Sequence, residues 1–379
     1  MRIAQVAPLY EPVPPPRYGG TERVIAALCN GLVAAGHDVT LFAAATSDTA
    51  ATLHPSGPQP LRSRMSREEM LEIAPHLHLK LLSDVYSRAG DFDVIHAHLD
   101  LLAMPFVSLV DTPTVLTLHG RLDTDVAQRV MPLYPDVPLV SISDFQRQPF
   151  SGVRLNWVGT VPNGLDLDAY QRAERTGDGY LAFVGRINHE KRPDMAIEIA
   201  VRNRRQLKIA AKVDPFDVEY YQHKIQPLLE HPLVDFLGEI GEEAKPDFFA
   251  GAAATLFPSD WPEPFGLVMI ESMAAGTPVI ALRRGSIPEV LVHGVTGFIC
   301  DTFEEMAESV RHIDDIDPAA CRAHALNFTG SEMSRRYMQV YRRLCGNDGM
   351  ASATPLAHGV GGLAVRGART QGLQDLTVD

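Results

Sequence analysis

Glu263 and Glu271 stand eight positions apart in the segment FPSDWPEPFGLVMIESMAAGTPVIAL, residues 257–282, on either side of an apolar turn into a helix. Carboxylates so placed can accept hydrogen bonds from hydroxyl groups. Glu263 lies between Pro262 and Pro264. Proline fixes its own φ and pushes the preceding residue toward extended backbone, so this side chain sits on a stiff loop. After Phe265 and Gly266 the run LVMIESMAAG reads as a helix, stopped by Gly276-Thr277-Pro278 ahead of a short apolar strand, Val279–Leu282. Glu271 then lies just inside a helix whose free amides, around Leu267, point back at the loop carrying Glu263. Free amide donors and the positive end of the helix dipole make such a start a phosphate site. One carboxylate for the hydroxyls of one sugar, a second for those of another, with phosphate between, is the shape of a nucleotide sugar. The plainer reading makes Leu267, Met269, Ile270 and Met273 the buried side of a helix, with two incidental glutamates in a chain of 47 acidic residues.

Other positions could take part. The first strand is followed by PLYEPVPPPRYGGTERVIAAL, where Tyr18-Gly19-Gly20-Thr21 enters a helix. Two glycines let backbone approach a charged group closely, which makes Gly19 and Gly20 candidates. The competing reading is an ordinary turn with Thr21 as N-cap. No G-x-G-x-x-G follows the strand, which argues against dinucleotide binding. In YLAFVGRINHEKRPDMAIEIA, Arg186 follows a strand ending at Gly185, and Lys191 lies five positions on. Two cations at the carboxyl end of a strand suit a diphosphate, Arg as a fork of donors and Lys as a mobile point charge. The alternative is a solvated loop with incidental charges. His119 ends the strand TVLTLHG where a cleft would begin. His96 and His98 have the i, i+2 spacing of a metal pair, but no third ligand is in register. The D-x-D triplets Asp91–Asp93, Asp123–Asp125 and Asp166–Asp168 are what acidic loops generate freely, and no metal is expected.

Strand-like and helical runs alternate through most of the 379 residues, the pattern of a doubly wound α/β protein. Strands are expected at Arg2–Ala7, Val39–Ala43, Val94–Ala97, Thr114–Leu118 and Leu139–Ile142, with a helix over Thr21–Ala35. A second series follows at Tyr180–Val184, Leu207–Ala211, Val234–Leu237, Ala253–Phe257 and Val279–Ala281. Two Rossmann-like domains are expected, residues 1–165 and 180–330, with a polar linker over 166–179 and ligand at the carboxyl ends of the strands. A helix near 331–344, with Met333, Tyr337, Val340, Tyr341 and Leu344 on one stripe, reads as core packing. From Gly346 the chain has no aromatic residue and is rich in Gly and Ala, so 346–379 reads as a disordered tail. Net charge is −13 and the isoelectric point about 5.5, against a nucleic-acid partner and weakly against anionic lipid, although Arg62, Arg64 and Arg67 form a local basic patch. Cys29, Cys300, Cys321 and Cys345 are scattered, as expected of free thiols in a cytoplasmic protein. The opening MRIAQVAPLY is broken too early by Pro8 for a signal peptide, and no apolar run approaches the ~18 residues of a spanning helix.

PEPFGLVMIESMAAGTPVIA resembles the donor-site signature of the retaining glycosyltransferases of the GT-B fold, family 4, and the likeness covers roughly residues 1–345. The resemblance implies two Rossmann-like domains with parallel sheets facing a central cleft, and a last helix, 331–345, that crosses back onto the acceptor-binding first domain. It implies metal-independent transfer of a hexose from a nucleoside diphosphate sugar to an acceptor hydroxyl with an α-linkage. UDP-glucose is the first-choice donor, GDP-mannose the next, and no cofactor is needed. The Gly19-Gly20 loop would cover the diphosphate, Arg186 and Lys191 would bind it, and His119 would reach the donor sugar. Glu263 would bind the sugar's hydroxyls and Glu271 the ribose, with Phe265, Gly266 and Leu267 presenting the helix start. Ser143-Asp144 and Asn163-Gly164 would shape the cleft, and Gly238-Glu239-Ile240 would meet the base through backbone. Acceptor contacts are expected near residues 50–85, where HPSGPQPLRSRMSREEM has the look of a mobile flap. The absence of a basic amphipathic helix favours a soluble acceptor. Two rivals share the fold: a sugar-nucleotide epimerase and a non-catalytic nucleotide-sugar sensor.

Overall fold

Each half of the chain builds one parallel sheet from short apolar runs that helices cover on both faces. The computed structural model describes residues 1–17, 19–57, 59–172, 179–213 and 217–346, with 67 and 172 described by backbone alone. The first sheet contains β1 (Arg2–Val6), β2 (Asp38–Ala43), β3 (Thr52–Pro55), β4 (Val94–Ala97), β5 (Thr114–Thr117), β6 (Leu139–Ser141) and β7 (Trp157–Thr160), in the order β3-β2-β1-β4-β5-β6-β7. The second contains β8 (Tyr180–Ile187), β9 (Leu207–Val213), β10 (Val234–Gly238), β11 (Ala252–Phe257), β12 (Val279–Leu282) and β13 (Gly297–Cys300), in the order β10-β9-β8-β11-β12-β13. Ile3 of β1 registers with Val39 on one side and Val94 on the other. Strand order reverses there, and again between β8 and β11, and each reversal opens a crevice at the strands' carboxyl ends. β4, β5, β11 and β12 are buried along their whole length, as parallel strands between helical layers must be.

Three strands were not anticipated. β3 and β7 are edge strands of intermediate exposure, and β3 ends in Pro55, so neither carries a continuous apolar run. β13 is only four residues long and begins at Gly297. β8 extends to Ile187, so Arg186 lies within the strand opposite Lys212 and does not follow it. The helix Gly20–Ala34 has Gly19 as N-cap with no side-chain cap, so Thr21 does not take that role. Within the segment expected to be a flap the described residues form the end of β3, a turn at Leu61–Ser63 and a short helix, Arg67–Glu72, whose capping box joins Ser66 and Glu69, and Pro58 lies outside the described residues. Tyr18, residues 173–178 of the expected linker and all but Gly346 of the expected tail lie outside the described residues. The earlier part of the linker, Asp168–Arg172, is helical.

The terminal helix Gly330–Leu344 packs on the helix Gly20–Ala34 and buries Met333, Tyr337, Val340 and Tyr341. Thr329 caps it, its hydroxyl accepting from the Glu332 N–H at 3.2 Å. One continuous apolar cluster joins the strands of β1 and β2, the helix Leu267–Ala274 and this terminal helix, so both halves share a core. Gly164 marks how closely they meet. A Cβ there would lie 2.3 Å from the Thr329 carbonyl oxygen, a backbone atom that cannot turn away. Gly164→Ala is therefore expected to cost about 1–3 kcal/mol as an overpacked site. Gly90→Ala, with nothing within 4 Å of the added atom, should change stability by less than ~0.5 kcal/mol. Thermal unfolding of the two variants side by side checks this: equal midpoints would remove the packing argument.

Candidate functional site

The two reversals of strand order face one cleft of about 830 Å³. Gly19, Gly20, His119, Arg186, Lys191, Glu263, Phe265, Gly266, Leu267 and Glu271 all line it. Among the described residues eight Arg and Lys side chains line the cleft against five Asp and Glu, an excess of positive charge in a chain of net charge −13.

Two helix starts approach each other across this space. Gly19 precedes the helix Gly20–Ala34, and Gly266 precedes Leu267–Ala274. A Cβ on Gly20 would lie 3.3 Å from Leu267 Cδ1, so a larger residue would crowd the facing helix. The free N–H groups of both helices are local concentrations of positive potential. Phe265 contributes backbone here, since its ring is buried against Phe328 at 5.9 Å.

Glu263 is buried at 7% exposure, and its Oε2 takes every recorded side-chain bond. Lys191 Nζ donates to it, Trp261 Nε1 donates at 2.7 Å and Ser259 Oγ lies at 3.4 Å. The turn that aims it is held by Gly285, whose φ of 60° is left-handed and whose Cβ would fall 2.2 Å from the Glu263 carbonyl oxygen. Lys191 also sits over the rings of Phe257 and Trp261, at 5.2 and 5.0 Å. Arg186 is 4.0 Å from Glu190 on the same wall.

Glu271 is 1% exposed and lies in a denser network. Its Oε1 accepts from Tyr170 Oη at 2.7 Å and pairs with Arg23 at 2.8 Å and Lys245 at 3.4 Å. Arg23 and Lys245 both reach Glu242 as well. Burial opposes the charge on Glu271, but Arg23, Lys245 and the Tyr170 hydroxyl outweigh it and hold its carboxyl at about 2. It is ionised at neutral pH, with Oε2 carrying no recorded partner among the described residues. Arg23, Tyr170, Lys245 and Trp261 were not anticipated as site residues. Trp261 was legible in principle, an indole N–H two positions before Glu263. The other three come together only through tertiary packing.

Glu22, also unanticipated, lies in the first turn of Gly20–Ala34, its Oε2 3.1 Å from where a Cβ on Gly19 would be. Burial raises its carboxyl to about 7. His119 ends the facing wall. Its N–H donates to Asp100 Oδ1 at 3.0 Å, and its Nε2 is 2.9 Å from His98 Nδ1. Asp100 holds a φ of 45°, a conformation side chains other than glycine rarely adopt, at the end of β4. Burial lowers His119 to about 4, so its ring is neutral near pH 7.

The remaining candidates fall outside this cluster or serve it indirectly. Ser143 Oγ donates to the Pro264 carbonyl at 2.8 Å, tying the first half to the loop of Glu263, and Glu289 of the short helix Ile287–Val290 accepts from the N–H groups of Asp144 and Phe145 at 2.7 Å. Asn163, Glu239 and Ile240 line the cleft. The acidic triplets are engaged elsewhere: Asp93 with Arg2, Asp91 with Arg88, Asp123 with Arg121, Asp125 with Arg129. Asp166 accepts from the N–H of Asp168.

Comparison with known proteins agrees with the fold. The family model described as Glycosyltransferase Family 4 matches residues 18–169, and that described as Glycosyl transferases group 1 matches 168–317. A glycogen synthase of Mycobacterium tuberculosis is 29% identical over 375 residues, covering 86% of this chain and 88% of that one. A phosphatidyl-myo-inositol mannosyltransferase of Mycolicibacterium smegmatis is 27% identical over 385 residues, covering 91% and 95%. The crystal structure of Anabaena HepE in complex with UDP-glucose superposes with a TM-score of 0.68 over 90% of this chain and all of that one, at 18% identity. Two parallel sheets of seven and six strands, one cleft at their carboxyl ends and two family models in tandem lead to one conclusion. The chain belongs to the glycosyl transferases group 1, family-4 glycosyltransferases of the GT-B fold.

Proposed function

We propose that the chain is a retaining, metal-independent hexosyltransferase that moves a hexose from a nucleoside diphosphate sugar to an acceptor hydroxyl with an α-linkage. The observation that carries the reading is the pair of buried carboxylates, Glu263 and Glu271, each tied to the protein through one oxygen beside the start of the helix Leu267–Ala274. Glu271, ionised and fixed, accepts from the ribose hydroxyls, and Glu263 accepts from those of the hexose. The amides at Gly266-Leu267 and Gly19-Gly20, with Arg186 and Lys191, hold the diphosphate. Lys191 can do so without leaving Glu263, because an ammonium has three donors. Glucose from UDP-glucose is the first expectation, supported by the Anabaena neighbour crystallised with UDP-glucose, and mannose from GDP-mannose the second, the M. smegmatis relative being a mannosyltransferase.

In this reading the acceptor oxygen attacks the anomeric carbon on the face the diphosphate leaves. The carbon–oxygen bond to diphosphate breaks, and the acceptor's proton passes to the departing diphosphate oxygen. Cations and helix amides stabilise the charge that develops, where each lost donor costs on the order of 3–4 kcal/mol. The donor is the substrate, and no separate cofactor enters.

Calorimetric titration with UDP, GDP and ADP tests the donor site. One nucleotide should bind in the micromolar range, and Glu271→Ala should weaken it at least about tenfold, the worth of one hydrogen bond to a charged group. If none of the three binds the unaltered chain, the donor assignment falls. Glu263→Gln separates chemistry from nucleotide binding: UDP affinity should stay within about threefold while transfer drops on the order of 100-fold. Undiminished transfer by that variant would take Glu263 out of the mechanism.

A further inference from the structure

Behind His119 a buried chain of hydrogen bonds runs away from the cleft to the terminal helix. His119 Nε2 is 2.9 Å from His98 Nδ1, and His98 Nε2 is 2.9 Å from Gln5 Oε1. Gln5 Nε2 donates to Tyr341 Oη at 3.0 Å, and that hydroxyl lies 2.7 Å from His96 Nδ1. Gln5, His96, His98 and Tyr341 are all buried, so no water competes for these links. In such a chain each link needs one donor and one acceptor, and setting one proton sets the next.

The sense can be followed from Gln5. Its amide nitrogen faces Tyr341, so its carbonyl oxygen faces His98, and a carbonyl only accepts. His98 must carry its proton on Nε2. Burial pulls His98 well below the usual histidine range, so the ring is neutral and its Nδ1 is bare. A bare Nδ1 accepts, so His119 donates from Nε2. His119 is also neutral, which leaves its own Nδ1 as a lone-pair acceptor with no recorded partner among the described residues.

We propose that Gln5, His98 and Tyr341 are positioning residues that set the tautomer of His119, so that its Nδ1 accepts a hydrogen bond from a hydroxyl of the donor hexose. This rests on the donor-sugar role of His119, and it goes further by giving the direction of the bond. A hydroxyl can donate into Nδ1, whereas a fluorine in its place cannot.

Nitrogen-15 NMR of the full chain with labelled histidine, at neutral pH and without substrate, reads the tautomer directly. His98 and His119 should both be protonated on Nε2 and bare on Nδ1. A proton on His119 Nδ1 overturns the proposal whether or not the chain transfers sugar. In turnover, His98→Leu should lower kcat about 10–100-fold, the range seen when an outer partner of a functional imidazole is lost, with UDP affinity unchanged. His98→Asn, which can return an acceptor oxygen near the place of Nδ1, should recover part of that loss. A folded His98→Leu protein with unaltered kcat would overturn the positioning role. Full transfer by His119→Ala would instead remove the sugar contact from the functional reading, leaving the tautomer assignment intact.

Discussion

The charge on Glu271 is the constraint around which the cleft is arranged. A carboxylate at 1% exposure would cost several kcal/mol if left alone, and protonation would be the cheaper outcome. It stays ionised because Arg23 from the first half, Lys245 from the second and Tyr170 from the connection between them converge on one of its oxygens. The pairing thus spans all three parts of the chain. A change in how the halves sit would strand a charge, so the electrostatics of this one residue help define their relative placement. Glu242, bonded to both cations, limits the excess positive charge that would otherwise gather there.

The same arrangement reconciles a net charge of −13 with a cleft suited to an anion. Away from the cleft, acidic side chains such as Asp93 and Asp125 pair with Arg2 and Arg129 at partly exposed positions and contribute little. The cleft instead gathers Arg186, Lys191 and Lys245 with two helix starts, and among the described residues the bonds to Glu263 and Glu271 engage one oxygen of each. Low dielectric walls strengthen these fields relative to bulk water. Overall charge therefore predicts poorly what a recessed site will bind.

What was legible in the sequence is what is written locally. The strands buried on both faces, β1, β4, β5, β11 and β12, appear as short apolar runs between turn signals, and the doubly wound order follows from their alternation with helices. Glu263 and Glu271 were legible because Pro262, Pro264, Gly266 and Gly276 lie within a few residues of them and dictate loop, helix start and helix stop. β3 and β7 were not, because an edge strand need not be apolar on both faces. Arg23, Tyr170 and Lys245 left no local trace beside Glu271, since ion-pair partners are chosen by packing and any of the chain's many cations fits equally well on paper. His96 and His98 show that a spacing can be ambiguous on paper. Their spacing suggests a metal pair, whereas the rings are spent on hydrogen bonds to Tyr341, Thr117, Gln5 and His119.

Those histidines also explain why the terminal helix presents tyrosines where an apolar stripe would suffice for packing. Tyr337 and Tyr341 are among the largest fully buried side chains, and each brings a hydroxyl into the carboxyl-end layer of β1, β4 and β5. Burying hydroxyls and imidazoles costs free energy unless every group is paired, and a half-satisfied network would be worse than phenylalanine and leucine. Here the bonds close: Tyr341 meets Gln5 and His96, and Thr117 meets His96 and Tyr337. Apolar packing would hold the helix in place but would leave His98, and through it His119, free to exchange tautomers. A polar network tolerates only complementary proton placements. Under the proposal, the helix Gly330–Leu344 sets a proton on a loop more than two hundred residues earlier without lining the cleft.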